Sequence, residues 1–261
     1  MRFKAVSILV TVFLLDIFSG VTPCRGEAGL TVRLERDAAV LKNDYKRFYL
    51  DADNILCLLA GGMVPGILAN TDMDREFREY YRENLKNRWT DNTSKVFKVP
   101  GELFLTAPLL FGAHLVLDET TPVGEWVDKS LRALLVGGPG GLVIQRLTGA
   151  GRPDEGGSHW KPFEDSNGLS GHAFVGAVPF ITAARMQDDP YMKALYYALS
   201  VLPAASRVND DKHYLSQALF GWYLAYLSVD AVDRADGRDD LSFFITPAKN
   251  NGIMFQANFA Y

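Results

Sequence analysis

The stretch SRVNDDKHYLSQ at residues 206–217 leads directly into the apolar stretch ALFGWYLAYLSV at residues 218–229. The second stretch has the length and the continuous apolar character of a buried helix. Arg207 and His213 therefore lie at the mouth of a buried helix, where a cation or an imidazole is unfavourable without a partner. We predict an anion beside them, from the protein or from a ligand, and we interpret the stretch as half of a phosphate site.

The rest of the body also has the pattern of helices. Its segments are apolar, and the alternation typical of strands is nearly absent from them. We therefore predict an all-α bundle of about six or seven helices, preceded by a polar lead-in at residues 30–50. The predicted segments are Asp51 to Ala69, Asp74 to Trp89, Glu102 to Leu117, Val123 to Thr148, Leu169 to Met186, Tyr191 to Ala205 and Tyr214 to Val232.

Glycine and proline interrupt two of these segments. In the first, the glycines and Pro65 favour a broken or closely packed helix. In the fourth, the sequence GGPGG at residues 137–141 should kink the helix or split it in two. No segment offers about 18 apolar residues free of charge, proline and glycine clusters, which favours buried core helices over membrane spans.

The N-terminus has the pattern of a secretory signal. Two basic residues precede the apolar run Ala5 to Leu15, and a polar stretch with small residues follows. We divide the chain into a signal peptide at residues 1–26, a helical domain at 27–236 and a tail at 237–261. We expect an exported protein that is periplasmic or associated with the cell envelope, and an uncleaved anchor helix is the alternative interpretation of the apolar run.

The tail differs from the body. Leu241 to Thr246 and Ile253 to Tyr261 flank an Asn-Gly dipeptide at residues 251–252, which is typical of a strand, a tight turn and a second strand. Since an isolated two-stranded hairpin is marginally stable, we predict a C-terminal β-hairpin that packs on the bundle.

Composition excludes some functions and leaves others open. The net charge is −4, and no basic face with interleaved aromatic residues is present, so we expect no nucleic-acid partner. Cys24 and Cys57 are the two cysteines, and no intramolecular disulfide is possible if Cys24 leaves with the signal peptide. The oligomeric state is left open by the sequence.

A second candidate stretch lies at the entry to the fifth predicted helix. Ser170 can cap the helix and donate to an oxygen, Gly171 allows a ligand to approach the backbone, and unpaired N–H groups at a helix N-terminus attract anions. His172, in the first turn, is placed to protonate a leaving group. The alternative is a Ser-capped helix with an incidental histidine.

Three stretches together resemble a known family. They are Arg-Pro at residues 152–153, Ser-Gly-His at 170–172, and Ser-Arg at 206–207 with five residues to His213. This order resembles the superfamily of type 2 phosphatidic acid phosphatases, bacterial class A acid phosphatases and vanadium haloperoxidases. The resemblance covers about Gln145 to Gln217. It implies a helical phosphatase that needs no metal or other cofactor and acts on a phosphomonoester or on a lipid phosphate or pyrophosphate.

The resemblance also implies a role for each matching residue. His213 would be the nucleophile that forms a phosphohistidine, and His172 would protonate the leaving oxygen. Arg152 and Arg207 would hold phosphate oxygens, Ser170 and Gly171 would supply loop donors, and Gln145 occupies the position of a phosphate-binding lysine.

The chain departs from the family pattern at three positions. Gln145 replaces a lysine, Leu169 replaces a proline, and Gln217 replaces the aspartate behind the nucleophile. At helical spacing, Gln217 shares a face with His213 and can accept its N–H, but it carries no negative charge. Asp210 and Asp211 lie close enough in sequence to compensate in part.

Two functions from different classes follow. The first is an exported phosphatase that acts on a phosphorylated small molecule or lipid. The second is a catalytically impaired relative that binds phosphate or a lipid phosphate, or that serves as a structural protein of the envelope. A haloperoxidase, which would need vanadate, is a minor option. Contact with a membrane surface is left open by the sequence.

Overall fold

A computed structural model describes residues 30–237, 241–247 and 253–259. Across these residues the regular secondary structure of the body is helical, which confirms the prediction of an all-α bundle, and the body contains nine α-helices. In chain order they are α1 (Leu30–Leu50), α2 (Ala52–Ala69), α3 (Met73–Tyr80), α4 (Arg88–Phe97), α5 (Leu103–Val116), α6 (Pro122–Thr148), α7 (Gly171–Arg185), α8 (Pro190–Asn209) and α9 (Leu215–Ala235).

Local signals account for the two helices beyond the predicted number. Residues 30–50 form α1 rather than a polar lead-in. The charged segment predicted as one helix ends in a π-helical turn at Tyr81–Leu85, and a new helix, α4, begins after Asn87. Asn87 caps α4, because its side chain accepts from the backbone N–H of Trp89 at 2.8 Å.

The ends of the chain are described only in part. The predicted signal peptide lies outside the described residues. In the tail, the backbones of β1 (Leu241–Pro247) and β2 (Ile253–Phe259) pair antiparallel, with Leu241 opposite Phe259. The predicted turn at residues 251–252 lies outside the described residues, so the complete hairpin and its packing on the bundle stay predictions.

Helices α7 and α9 form the centre of the bundle. Every residue of α7 from Ala173 to Arg185 is buried. The two helices approach closely at Gly221, where an added Cβ would lie 2.3 Å from the carbonyl oxygen of Ser170. This contact brings the N-terminus of α7 to the first turns of α9, where both histidine-containing stretches meet.

Helix α6 is continuous through its GGPGG sequence, so of the two predicted outcomes, a kink or a split, the split is wrong. Pro139 has no N–H and therefore leaves the carbonyl of Leu135 without its helical partner. The hydroxyl of Tyr45 on α1 donates to that carbonyl at 2.9 Å. A side chain from a neighbouring helix thus replaces the hydrogen bond that proline removes.

A second tyrosine of α1 enters the hydrogen-bond ladder one residue further along. The Tyr49 hydroxyl donates to the carbonyl of Val136 at 2.7 Å and accepts from the N–H of Gly140 at 2.9 Å. Both groups belong to the same helical turn, so the hydroxyl bridges them. The glycines serve packing, since a Cβ at Gly137 would lie 2.1 Å from Ser228 Oγ of α9.

The apolar segments are not all buried core helices. In α2, the glycines are contact points, as the sequence predicts for a closely packed helix, because a Cβ at Gly61 would lie 1.9 Å from the Tyr223 ring. Yet most large side chains of α2 and α5 face outward. Among the described helices, Ala52–Ala69 alone is long and apolar enough to cross a bilayer. The segments Arg88–Gly101 and Leu103–Val116 are long and apolar enough only when they are taken together, and the chain bends by 51° between them.

Replacing the bridging tyrosine should destabilise the bundle. Tyr49→Phe removes both hydrogen bonds of the hydroxyl to partly buried backbone groups of α6. We expect a loss of about 1–3 kcal/mol in the free energy of unfolding, measured by chemical denaturation. Tyr191→Phe, at an exposed tyrosine, is the control. Equal stability of both variants would contradict this role of Tyr49.

Candidate functional site

A tight turn between α8 and α9 positions Arg207 and His213. Arg207 lies in the last turn of α8, and its carbonyl accepts from the N–H of His213 at 3.3 Å. Within the turn, Asp211 has a φ of 56° in the left-handed region. The Arg78 guanidinium of α3 holds this residue through two hydrogen bonds of 2.6 Å each to its carboxylate.

The two aspartates of this turn serve as anchors. Asp211 also pairs with Arg82 at 2.8 Å, and Asp210 accepts from Ser94 Oγ of α4 at 2.6 Å. Their carboxylates therefore tie the turn to α3 and α4. These partners are Arg78, Arg82 and Ser94, and the expectation that the two aspartates compensate in part for the missing family aspartate stays a prediction.

The His213 side chain is oriented by Gln217, so the predicted contact is present, although His213 lies in the turn before α9 and not within the helix. His213 Nδ1 lies 2.9 Å from Gln217 Oε1, which also accepts from the N–H of Tyr214 at 3.1 Å. Gln217 Nε2 donates to the carbonyl of Gly151 at 2.7 Å. Because Oε1 is fixed as an acceptor, the hydrogen-bond network assigns the imidazole proton to Nδ1 and leaves Nε2 with a free lone pair.

The surroundings of Gln217 suit an amide. The side chain is fully buried, with 0% exposure, and it must both accept from His213 and donate to Gly151. An ionised aspartate or glutamate can only accept, so it would face the Gly151 carbonyl without a donor. The glutamine is therefore a fully hydrogen-bonded part of the site.

The N-terminus of α7 is held against the same helix. Ser170 is the N-cap: its side chain accepts from the N–H of Ala173 at 3.3 Å, and its own N–H donates to the backbone carbonyl of Gln217 at 2.9 Å. Gly171 and His172 follow in the first turn, where helix geometry directs N–H groups out of the helix end. This end of α7 is therefore suited to an anion.

Gln145, at the position of the family lysine, contacts the backbone before Ser170. Its Nε2 donates to the carbonyl of Leu169 at 2.8 Å, and a Cβ at Gly171 would lie 3.8 Å from Nε2. The structure therefore gives Gln145 a contact that positions the loop. Direct binding of phosphate by Gln145 stays a prediction.

Two arginines at the site have no carboxylate partner among the described residues. Arg152 Nε donates to the amide oxygen of Asn167 at 2.9 Å, and Asn167 is held in turn by Asp165 at 2.8 Å. Arg207 Nε is buried and has no hydrogen-bond partner in the described part of the chain. A guanidinium held by an amide, or by nothing, retains its capacity to bind an anion.

The electrostatics show that these groups lie in one region. The pKa of His213 is lowered to about 3, first by burial and then by the positive charges of Arg207 and Arg152. Burial and the same two arginines lower the pKa of His172. Burial lowers the pKa of Arg207, the charges of Asp210 and Glu102 oppose this lowering, and the charge of Arg152 adds to it. The two arginines thus present positive charge that no carboxylate binds directly among the described residues, which favours an anion.

Glu102 is a residue of this site that the sequence analysis missed. One of its carboxylate oxygens lies 3.3 Å from His172 Nε2, and its charge opposes the lowering of the His172 pKa. Glu102 precedes α5 and is about seventy residues from His172, so no local pattern connects the two. Asn167 was also missed, because it lies in a loop and no sequence pattern connects it to Arg152.

Comparison with protein-family models matches residues 140–234 to the PAP2 superfamily. The matched range begins in α6 and ends in α9, and it contains every candidate residue from Gln145 to Gln217. No curated protein and no solved structure matched the chain.

Changing the amide to a carboxylate should disturb the site. Gln217→Glu keeps the side-chain length but removes the donor to Gly151, which should lower the free energy of unfolding by about 1–3 kcal/mol at neutral pH. The negative charge should also raise the pKa of His213 from about 3, measured by NMR titration of the imidazole. Gln187→Glu is the matched control. An unchanged imidazole titration would contradict the assigned contact.

Proposed function

We propose that the chain, which matches the PAP2 superfamily over residues 140–234, hydrolyses a phosphate ester through a phosphohistidine at His213. Members of this superfamily are typically phosphatases. The observation that carries the proposal is a neutral His213 with a free Nε2 beside two arginines that lack carboxylate partners among the described residues. The proposed substrate is a phosphomonoester or a lipid phosphate or pyrophosphate.

Binding of the phosphoryl group uses the excess positive charge of the site. Arg152 and Arg207 bind its oxygens, and the first N–H groups of α7, at Gly171 and His172, supply further donors. The bound dianion offsets the mutual repulsion of the cations. Charge stabilisation of this kind supplies what phosphoryl transfer needs, so the proposed reaction uses no metal.

The first step transfers the phosphoryl group to the enzyme. His213 Nε2 attacks phosphorus, the bond between phosphorus and the leaving oxygen breaks, and His172 donates a proton to that oxygen. The Nδ1 proton of His213 remains on its hydrogen bond to Gln217, which spreads part of the positive charge that develops on the ring.

The second step returns the enzyme to its starting state. His172, now neutral, accepts a proton from water as the water oxygen attacks phosphorus. The bond between phosphorus and Nε2 breaks, inorganic phosphate leaves, and His172 regains the proton that the first step consumed. The net reaction converts the phosphate ester and water into an alcohol and inorganic phosphate.

A second candidate function is supported by Gln217. An amide holds the imidazole but adds no negative charge, and in a serine-protease triad the change from carboxylate to amide lowers turnover by about 10⁴. A phosphate-binding or lipid-phosphate-binding protein, or a structural envelope protein, would keep the same cations without turnover. For either function we propose an exported protein at the cell envelope, on the N-terminal signal pattern.

The nucleophile can be tested directly. His213→Ala should lower phosphate release from p-nitrophenyl phosphate and from a lipid phosphate by about three orders of magnitude or more, because the covalent step is lost. His159→Ala, at an exposed loop histidine, is the control and should retain wild-type rates. Equal rates for wild type and His213→Ala, or no release by wild type, would contradict catalysis. Phosphate binding without release would instead support the second function.

The pH dependence tests the acid. The pKa of His172 is lowered from 6.5. As pH rises through that lowered pKa, the fraction of protonated His172 falls, and kcat/KM for an alkyl phosphate should fall with it. Since Glu102 raises this pKa, Glu102→Gln should move the fall to lower pH. p-Nitrophenyl phosphate, with a better leaving group, should respond less. Glu79→Gln is the control, and superimposable profiles for wild type and Glu102→Gln would contradict the assignment.

A further inference from the structure

A second cluster of ionisable side chains lies at the other end of α5 from the candidate phosphate site. Its centre is His114, in the last turn of α5, which is buried. Asp37 of α1 and Glu119, in the connection between α5 and α6, each bring a carboxylate to it. One nitrogen and two carboxylate oxygens, one from each residue, lie within 4.8 Å of one another. Since Glu102 caps the start of α5, about 18 Å of helix separates the two sites.

Carboxylates face both ring nitrogens of His114. Nε2 lies 3.1 Å from an Asp37 oxygen, and Nδ1 lies 3.4 Å from an oxygen of Asp128 on α6. A neutral imidazole has one N–H and one lone pair, so on one side its lone pair faces an oxygen that can only accept. That arrangement is unfavourable unless a cation or a proton lies between the two atoms. The ring therefore either carries a second proton or meets a bound cation.

Three ligand atoms meet on one side of the ring, which favours a metal ion over a proton. One proton serves only the pair of His114 and Asp37, whereas a metal ion also uses Glu119. Ligands at about 2.0–2.1 Å from a tetrahedral zinc lie about 3.4 Å from each other. The 3.1 Å between His114 Nε2 and the Asp37 oxygen is close to that separation. A nitrogen ligand also favours zinc over calcium or magnesium, which take oxygen ligands.

The surroundings of the cluster carry negative charge and leave room for an ion. A cavity of about 380 Å³ opens beside the three residues, which belong to its lining. Carboxylates outnumber guanidinium groups in that lining, and the excess matches the charge of one divalent cation. The ionised side chains that line the cavity are Asp37, Glu119, Asp128 and Asp236, against Arg36 and Arg132.

We propose that Asp37, His114 and Glu119 bind a zinc ion. A histidine that binds a metal usually donates its other ring N–H to a carboxylate, and Asp128 lies at that position beside Nδ1. The cavity gives the ion a path and holds a water molecule at the fourth position. Because the ligands come from α1, α5 and the α5–α6 connection, the ion fastens these parts of the bundle together. This role is structural and does not depend on catalysis at His213.

Arg36 competes with the proposed ion for the same carboxylates. Its guanidinium lies 3.1 Å from Asp37 and also pairs with Glu119. The Arg36 side chain is 53% exposed, and an exposed ion pair of this kind contributes little to stability. Zinc can therefore displace the guanidinium into water. Removal of the guanidinium should strengthen zinc binding, whereas removal of a ligand should weaken it.

The test measures zinc binding to the full chain, produced without a histidine tag and stripped of metal by a chelator. Calorimetric titration with zinc chloride should show a tight site in the wild type. His114→Ala and Glu119→Gln should each lower the affinity by more than the about 10–100-fold that loss of an outer partner costs. Arg36→Ala should raise the affinity. His159→Ala, at an exposed loop histidine, is the control and should bind zinc as the wild type does.

Two further measurements separate this site from zinc bound elsewhere. Nitrogen-15 NMR should place zinc on Nε2 of His114, because Nδ1 faces Asp128. The melting temperature should rise with zinc concentration in the wild type but not in Glu119→Gln, whose partly exposed position allows the metal-free fold to be checked by circular dichroism. Absence of zinc binding by the wild type would overturn the proposal and leave a second proton on His114. Equal affinities of wild type and Glu119→Gln would also overturn it.

Discussion

The buried amide of Gln217 is the contact on which the site depends. It joins three parts of the chain, because its oxygen receives His213 and its nitrogen holds the Gly151 carbonyl beside Arg152, while its backbone accepts from Ser170. A buried side chain with every polar atom paired fixes one arrangement of its neighbours. The proposed nucleophile His213, the loop that carries Arg152 and the N-terminus of α7 are thus oriented by one residue.

This arrangement explains why the site favours an anion. Burial and the positive charges of Arg207 and Arg152 lower the pKa of both imidazoles. The arginines have no carboxylate partner among the described residues, whereas the aspartates of the α8–α9 turn are used to anchor it to α3 and α4. The two arginines are therefore available for the proposed phosphate.

The helices and much of the site could be predicted from sequence. The periodicity of apolar residues, the spacing of motif residues and the chemistry of helix ends can all be recognised within short stretches of the chain. The contact of His213 with Gln217 is expected from their four-residue spacing, although the structure forms it from the turn before α9. The Ser170 cap is expected from its position before an apolar helix. Glu102, Asn167 and the tyrosines that sustain α6 across Pro139 could not be predicted, since each acts across a long separation in sequence. The exposure of the α2 side chains was missed, because composition shows that a segment is apolar but not whether its side chains face the core or the outside.

The central claim is that His213 is a nucleophile through Nε2 because Gln217 occupies Nδ1. It is tested most directly by mixing the protein with a phosphorylated substrate and quenching the reaction during turnover. The acid-labile, base-stable phosphopeptide is then isolated, and the phosphate is located by phosphorus–nitrogen NMR coupling. The account predicts phosphate on Nε2 of His213. Phosphate on Nδ1, on another residue, or on none during measurable turnover would contradict it.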